Sequence, residues 1–135
     1  MGYESKIIVV DRREHELPSG EPWVYGDQIA IFDLSKMGYE RVNGKTFSEV
    51  FRNPIDFNLY IQPEDPNVTY TDEYFRQDCY GARCKWATTY DVLEWLDESE
   101  VLHEHRRAKL LYDFLVALNE HKDDWGQLCI VHYGY

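Results

Sequence analysis

The sequence predicts a single α+β domain, in which a small, mostly antiparallel sheet is packed against helices on one face. Three observations favour this class. Short β-branched and aromatic runs occupy the first half of the chain, apolar residues recur at helical spacing in the second half, and another apolar run lies near the carboxyl end. The chain has 135 residues, of which 44% are hydrophobic and 16% aromatic, enough for it to bury a core and fold alone.

The first half of the chain is predicted to contain three strands. Residues 7–10 and 23–34 have the composition of strands. The polar segment between them, residues 11–22, carries two prolines and a glycine, which predicts a loop that forms the wide turn of a hairpin. Residues 57–61, FNLYI, alternate as a third strand, and residues 68–70 resume a strand after a proline-containing break.

Helices are predicted from caps and from apolar spacing. Thr46 and Glu49 match the capping-box pattern, so a short helix should run from there to about residue 53. Thr88 or Thr89 should cap a second helix, and a longer helix should restart near Ser99. The apolar stripe of that longer helix consists of Leu111, Phe114, Leu115 and Leu118, joined by Leu110 and Ala117. The final residues, QLCIVHYGY, are predicted to form a strand that adds to the sheet.

Composition indicates a cytoplasmic protein. No apolar run is long enough to cross a bilayer, and the amino-terminal residues do not resemble a signal peptide. The chain has three cysteines, an odd number that argues against a secreted disulfide framework. We therefore expect reduced thiols and no membrane partner.

The stretch CYGARC nevertheless raises the possibility of a zinc site. Two cysteines with four residues between them flank a glycine, and a cysteine and a histidine occur near the carboxyl end. Residues three apart on a strand point to opposite faces, so the second pair would converge only at a bulge or at a strand end. The alternative is a turn with incidental thiols. The candidate zinc ligands are Cys79, Cys84, Cys129 and His132.

Catalytic motifs are missing from the sequence. We find no nucleophile elbow, phosphate-binding loop, dinucleotide glycine pattern or zinc-protease helix. His103 and His105 lie two residues apart, so on a helix they point away from each other and cannot share a metal. No catalytic residue is predicted, although an enzyme built from scattered residues would leave no such pattern.

The negative charge of the chain is concentrated in two segments. The chain has 25 acidic and 14 basic residues, a net charge of −11. Residues 53–75 carry five acids and residues 86–105 carry six, and neither segment contains Lys or Arg. Asp91, Glu94 and Glu98 are spaced to form a row on the second predicted helix, with neighbouring Cβ atoms about 5–6 Å apart. A row of carboxylates can imitate phosphates and attract a basic groove, whereas the simpler interpretation is a solvated helix. The candidate partner-binding residues are Asp91, Glu94, Asp97, Glu98, Glu100 and Glu104.

Several stretches resemble small uncharacterised proteins encoded by phages and prophages of Gram-positive bacteria. These stretches are GYESKIIVV, IAIFDLSKM, FNLYI, DCYGARCKW and VLEWL. The resemblance transfers no catalytic residue. It implies a bacterial cytoplasm and an accessory role, such as the blocking of a host CRISPR nuclease or another nucleic-acid-binding defence protein.

The leading hypothesis is therefore a phage accessory protein, an inhibitor that binds a basic surface of a host protein through an acidic, nucleic-acid-mimicking face. It predicts a protein partner, no direct contact with nucleic acid and no required cofactor. The aromatic content and the carboxyl-terminal strand are compatible with a homodimer. The alternatives are a zinc-stabilised interaction domain and an unrecognised enzyme.

Overall fold

The computed structural model of the chain describes residues 5–34, 41–59, 76–78 and 80–134. Six strands and four α-helices occur in these ranges. In chain order they are β1 (Ser5–Glu16), β2 (Pro22–Asp33), α1 (Phe47–Val50), β3 (Asn53–Pro54), β4 (Asn58–Leu59), β5 (Lys85–Ala87), α2 (Thr89–Leu96), α3 (Val101–Glu104), α4 (Arg106–Glu120) and β6 (Gln127–Gly134). A short 3-10 helix, Lys122–Asp124, joins α4 to β6.

The strands form one sheet in the order β3-β5-β6-β1-β2-β4. Each neighbouring pair is antiparallel except β2 and β4, which pair in parallel. The predicted α+β class, the mostly antiparallel sheet and the carboxyl-terminal strand are therefore confirmed. β1 lies between β2 and β6, so it is covered on both edges.

The side chains of alternate β1 residues pack into two separate cores, as expected for a strand. Ile7 and Val9 pack into the larger core, to which the helices contribute. Ile8 and Val10 point to the opposite face, where residues of the 55–59 segment cover them. The fully buried helical residues of the larger core are Val92, Leu96, Ala108, Leu111 and Leu115.

The predicted loop over residues 11–22 is wrong, because most of that segment continues the hairpin. β1 runs to Glu16 and pairs with β2 as far as Pro22. The turn is confined to residues 17–21, where the Leu17 N–H donates to the Glu21 carbonyl at 2.8 Å. Gly20 takes a φ of +86°, which a residue with a side chain rarely adopts. The loop was predicted because the segment is polar. A hairpin arm that extends past the core needs no apolar face, so polar composition does not exclude a strand there.

The predicted helix starts are correct, but one capping interaction and one helix end are not. Thr88 caps α2, and its Oγ1 accepts from the Asp91 N–H at 3.0 Å. Thr46 precedes α1 but makes no side-chain bond to the backbone, and its hydroxyl instead contacts Glu49 Oε1 at 3.3 Å. α1 ends at Val50 rather than near residue 53.

The long helix predicted from Ser99 is divided in two. His105 has an extended backbone, with φ −116° and ψ 103°, which separates α3 from α4. Apolar spacing does not reveal one non-helical residue when polar side chains surround it. β3 and β5 were not predicted, and the predicted strand at residues 68–70 lies outside the described residues.

Candidate functional site

The six predicted partner-binding carboxylates are all exposed. They lie on α2, on the turn that follows it and at α3. We call this set the acidic surface, and it consists of Asp91, Glu94, Asp97, Glu98, Glu100 and Glu104.

The orientation of α2 places the first two carboxylates in solvent. Val92, Trp95 and Leu96 are buried against the sheet, so the opposite side of the helix carries Asp91 and Glu94. Residues three apart on a helix have Cβ atoms about 5–6 Å apart. Of the predicted row, these two acids lie on the helix.

The third member of the row, Glu98, does not lie on the helix. α2 ends at Leu96, and Asp97 is its extended C-cap. Glu98 has a φ of +55°, which turns the chain away from the helix axis. The predicted row of three is therefore wrong, and Glu98 is exposed on the turn instead.

The loop around Asn43 joins the carboxylates of α2 to those of α3. The Asn43 side-chain amide donates to the carbonyls of Trp95 and Asp97, at 2.8 and 3.0 Å, and so caps the end of α2. A cleft of about 450 Å³ on one side of Asn43 is lined by Asp91 and Glu94. A second cleft of about 310 Å³, also lined by Asn43, includes Glu100 and Glu104. The acidic surface therefore extends along both sides of this loop.

Cations are also present at the edges of these clefts. Lys45 and Arg52 line the larger cleft with Glu49, and Arg41 lines the smaller one. Arg41 pairs with Glu49, Nη1 to Oε1 at 3.3 Å. A partner would thus meet acids that are bordered by a few basic side chains, and sequence spacing gave no signal for this arrangement.

The carboxylates of the acidic surface differ from the other acids in their lack of internal partners. In the described part of the chain the ion pairs use other acids, namely Asp11, Asp33, Glu49, Asp56, Asp113 and Asp124. Asp97 accepts a hydrogen bond from the Tyr112 hydroxyl at 2.9 Å, which raises the pKa of that tyrosine. Within the described residues, the remaining five carboxylates make neither a hydrogen bond nor an ion pair through their side chains. Their charges are available to a partner.

The structure does not bring the described members of the candidate zinc set together. Cys84 and Cys129 are buried in the smaller core, on one face of the sheet. His132 lies on the other face, where its ring stacks on Phe47 with centroids 4.6 Å apart. Among the described residues no three His, Cys, Asp or Glu side chains are grouped to hold a metal ion. Cys79 lies outside the described residues.

The turn within CYGARC is held by its own backbone and by an aspartate. Asp78 Oδ1 accepts from the N–H groups of Tyr80 and Ala82 at 2.8 and 3.0 Å. Gly81 has a φ of +81°, the conformation that glycine permits.

Burial raises the pKa of the Cys129 thiol to about 11, so this side chain is neutral at physiological pH.

Comparison with known proteins adds no assignment. No protein-family model matches the chain, and neither a curated protein nor a solved structure is significantly similar to it. Among the described helices, none has the length and apolar character required to span a membrane.

Proposed function

We propose that this protein is a phage accessory protein that binds a host protein through the acidic surface. The partner class that fits is a protein with a basic, nucleic-acid-binding groove, such as a CRISPR nuclease or another defence protein. The single observation that carries the proposal is that five exposed carboxylates of this surface have no internal partner in the described part of the chain.

The spacing of these charges supports nucleic-acid mimicry. An α-helix rises about 1.5 Å per residue, which separates Asp91 and Glu94 by about 4.5 Å along the axis of α2. A DNA strand carries one phosphate for each rise of about 3.4 Å. Two carboxylates held by a helix therefore approximate the spacing of adjacent phosphates, and the ordered backbone lowers the entropic cost of binding.

An exposed aromatic side chain beside the acids supports a protein partner. Tyr90 is 71% exposed and directly precedes Asp91 on α2. Tyrosine is enriched at protein interfaces because it provides a large apolar area with few rotatable bonds. The charges would steer the encounter with a basic partner, and the ring would add contact area after docking.

The proposal is tested by affinity capture with two charge-matched variants. The full chain is immobilised and exposed to an extract of a Gram-positive host that carries a CRISPR system. The test variant is Asp91→Lys, Glu94→Lys and Glu104→Lys, and the control variant is Glu14→Lys, Glu21→Lys and Glu120→Lys. The control residues are also exposed. Both triple variants replace three acids with three lysines and therefore change the net charge equally. Circular dichroism checks that both are folded, because a lysine in the first turn of α2 costs about 0.3–1 kcal/mol through the helix dipole.

The expected result is a host protein retained by the wild type and by the control variant but lost by the test variant. Double-stranded DNA added as a competitor should displace that protein, because both ligands would occupy one basic groove. Equal retention by the two variants would exclude the acidic surface as the binding site. Retention that DNA leaves unchanged would contradict the mimicry.

A further inference from the structure

A cleft on the other side of α1 is lined by two cations, Arg83 and Lys85, and by one acid, Asp78. Its volume is about 420 Å³, within the range of roughly 300–1,000 Å³ typical of small-molecule sites. We call it the Arg83 cleft, and the lining residues used below are Ser48, Phe47, Phe51, Arg83, Lys85 and His132.

Sheet register aligns the polar side chains of this cleft. Lys85 on β5 is the direct cross-strand partner of His132 on β6. Directly opposed residues project to the same face, with Cβ atoms about 4.5–5.5 Å apart. Arg83 precedes Lys85 by two residues and lines the same cleft. Lys85 and His132 are thus held side by side by the β5–β6 pairing, and Arg83 lies two residues before Lys85.

The two cations have no carboxylate partner among the described residues. Arg83 uses its Nε to donate to the Ile55 carbonyl at 3.2 Å, which leaves the two terminal nitrogens of the guanidinium available. Lys85 makes no ion pair in the described part of the chain, although the protein has a net charge of −11. Asp78 also lines the cleft, but its Oδ1 accepts two backbone N–H groups of the adjacent turn. The cleft therefore combines two cations with N–H donors that have no partner among the described residues.

The inner wall is apolar and ordered. Phe47 and Phe51 are 2% and 1% exposed, and the His132 ring lies nearly parallel to the Phe47 ring at an interplanar angle of 15°. His132 Nε2 is 2.9 Å from Ser5 Oγ, which fixes the orientation of the imidazole. This wall suits the apolar part of a ligand whose anionic group meets the cations.

We propose that the Arg83 cleft binds a small organic anion, a phosphate or carboxylate attached to a compact apolar group. The guanidinium of Arg83 matches such an anion in fork geometry, and the Lys85 ammonium adds charge. The Ser48 hydroxyl at the rim supplies a further donor. None of these residues belongs to the acidic surface, so this site is independent of the function proposed above.

The test measures binding of phenyl phosphate to the full chain by NMR chemical-shift titration and by calorimetry. Inorganic phosphate serves as the probe without an apolar group, and phenol as the probe without an anion. We expect phenyl phosphate to bind at least about tenfold more tightly than either, because it engages both the cations and the apolar wall. The shifted amide signals should belong to residues that line the cleft.

Variants separate the cleft from general attraction of anions. The double variant Arg83→Gln and Lys85→Gln should weaken phenyl phosphate binding by at least about tenfold. The double variant Arg106→Gln and Lys122→Gln removes two exposed cations elsewhere and should leave the affinity unchanged. Arg83→Lys keeps the charge but loses the fork, and an intermediate loss is expected. Absence of binding, equal binding of inorganic phosphate, or equal loss in both double variants would overturn the proposal.

Discussion

Asp11 is a buried carboxylate whose removal should destabilise the fold. Its side chain is fully buried, and its Oδ1 accepts from the N–H groups of Gly126 and Gln127 at 3.0 and 3.2 Å. Its Oδ2 accepts from Arg13 Nε at 2.8 Å. Asp11 therefore ties the start of β6 to the middle of β1. We predict that Asp11→Ala loosens this junction.

The magnitude follows from the three contacts. A hydrogen bond to a charged group contributes about 1.5–3 kcal/mol, and we take the low end for Gly126 and Gln127 because water can replace the carboxylate at these exposed residues. The Arg13 side chain is 46% exposed, so solvent screens that pair and it adds little to the sum. The loss for Asp11→Ala is therefore about 3 kcal/mol. Asp11→Asn keeps a neutral acceptor and should lose about half as much.

Urea denaturation followed by circular dichroism measures these losses. With a slope of about 2 kcal/mol per molar urea, Asp11→Ala should lower the midpoint by about 1.5 M. The control is Glu14→Ala, an exposed acid on the same strand, which should change stability by less than about 0.5 kcal/mol. Equal midpoints for Asp11→Ala and Glu14→Ala would refute the reasoning, since water would then satisfy the two N–H groups as well as the carboxylate does.

Three further predictions concern pH and packing. Arg12 donates two hydrogen bonds to Asp56 and holds the pKa of that carboxyl below its ordinary 3.8, so the stabilisation is present above pH 3.8 and is lost as the pH falls further. The loss in Asp56→Asn, about 0.5–1 kcal/mol at pH 7, should vanish near pH 2 in urea titrations, and a pH-independent loss would contradict the pairing. The Cys129 thiol, with its pKa raised from 9.0 to about 11, should resist iodoacetamide at pH 8 in the folded chain but not in urea, as peptide mass spectrometry would show. Because the unfolded chain loses this proton at lower pH than the folded chain, the free energy of unfolding should fall as the pH rises from 9 to about 11. In Gly26→Ala the new Cβ would lie 2.6 Å from Val10 Cγ1 and 2.7 Å from two carbons of the Phe57 ring, so we expect a loss of about 1–3 kcal/mol by urea denaturation. A loss below about 0.5 kcal/mol would refute the steric cause.

Local signals in the sequence were sufficient for the helices that face the core. Thr88 caps α2, and Leu111, Leu115 and Leu118 are buried as their spacing predicted. The prediction that Leu110 and Ala117 join this stripe is wrong, because both lie on the exposed side of α4. β3 and β5 could not be predicted in the same way, because two or three residues form no pattern of their own. The residues of β5 pair with residues of β6 that lie more than 40 positions away in the sequence, and β3 in turn pairs with β5.

The candidate site was predictable to the extent that helical periodicity determines exposure. Asp91 and Glu94 are exposed because Val92 and Trp95 occupy the buried side of the same helix. The position of Asn43 had no local signal, since its contact with Asp97 spans 54 residues. Strand alternation did predict that Cys129 and His132 would face opposite sides of the sheet, which is what the structure shows.

The order of the strands has a consequence for synthesis on the ribosome. The β1–β2 hairpin can form early, but β5 and β3 join the sheet only through β6, which is among the last parts of the described chain to emerge. Until then one edge of β1 is unpaired, and the contact between Ser5 and His132, 127 residues apart, cannot form. Such long-range pairing slows folding and leaves a strand edge exposed to aggregation. Loss of β6 would therefore divide the sheet into two separate parts rather than shorten it by one strand.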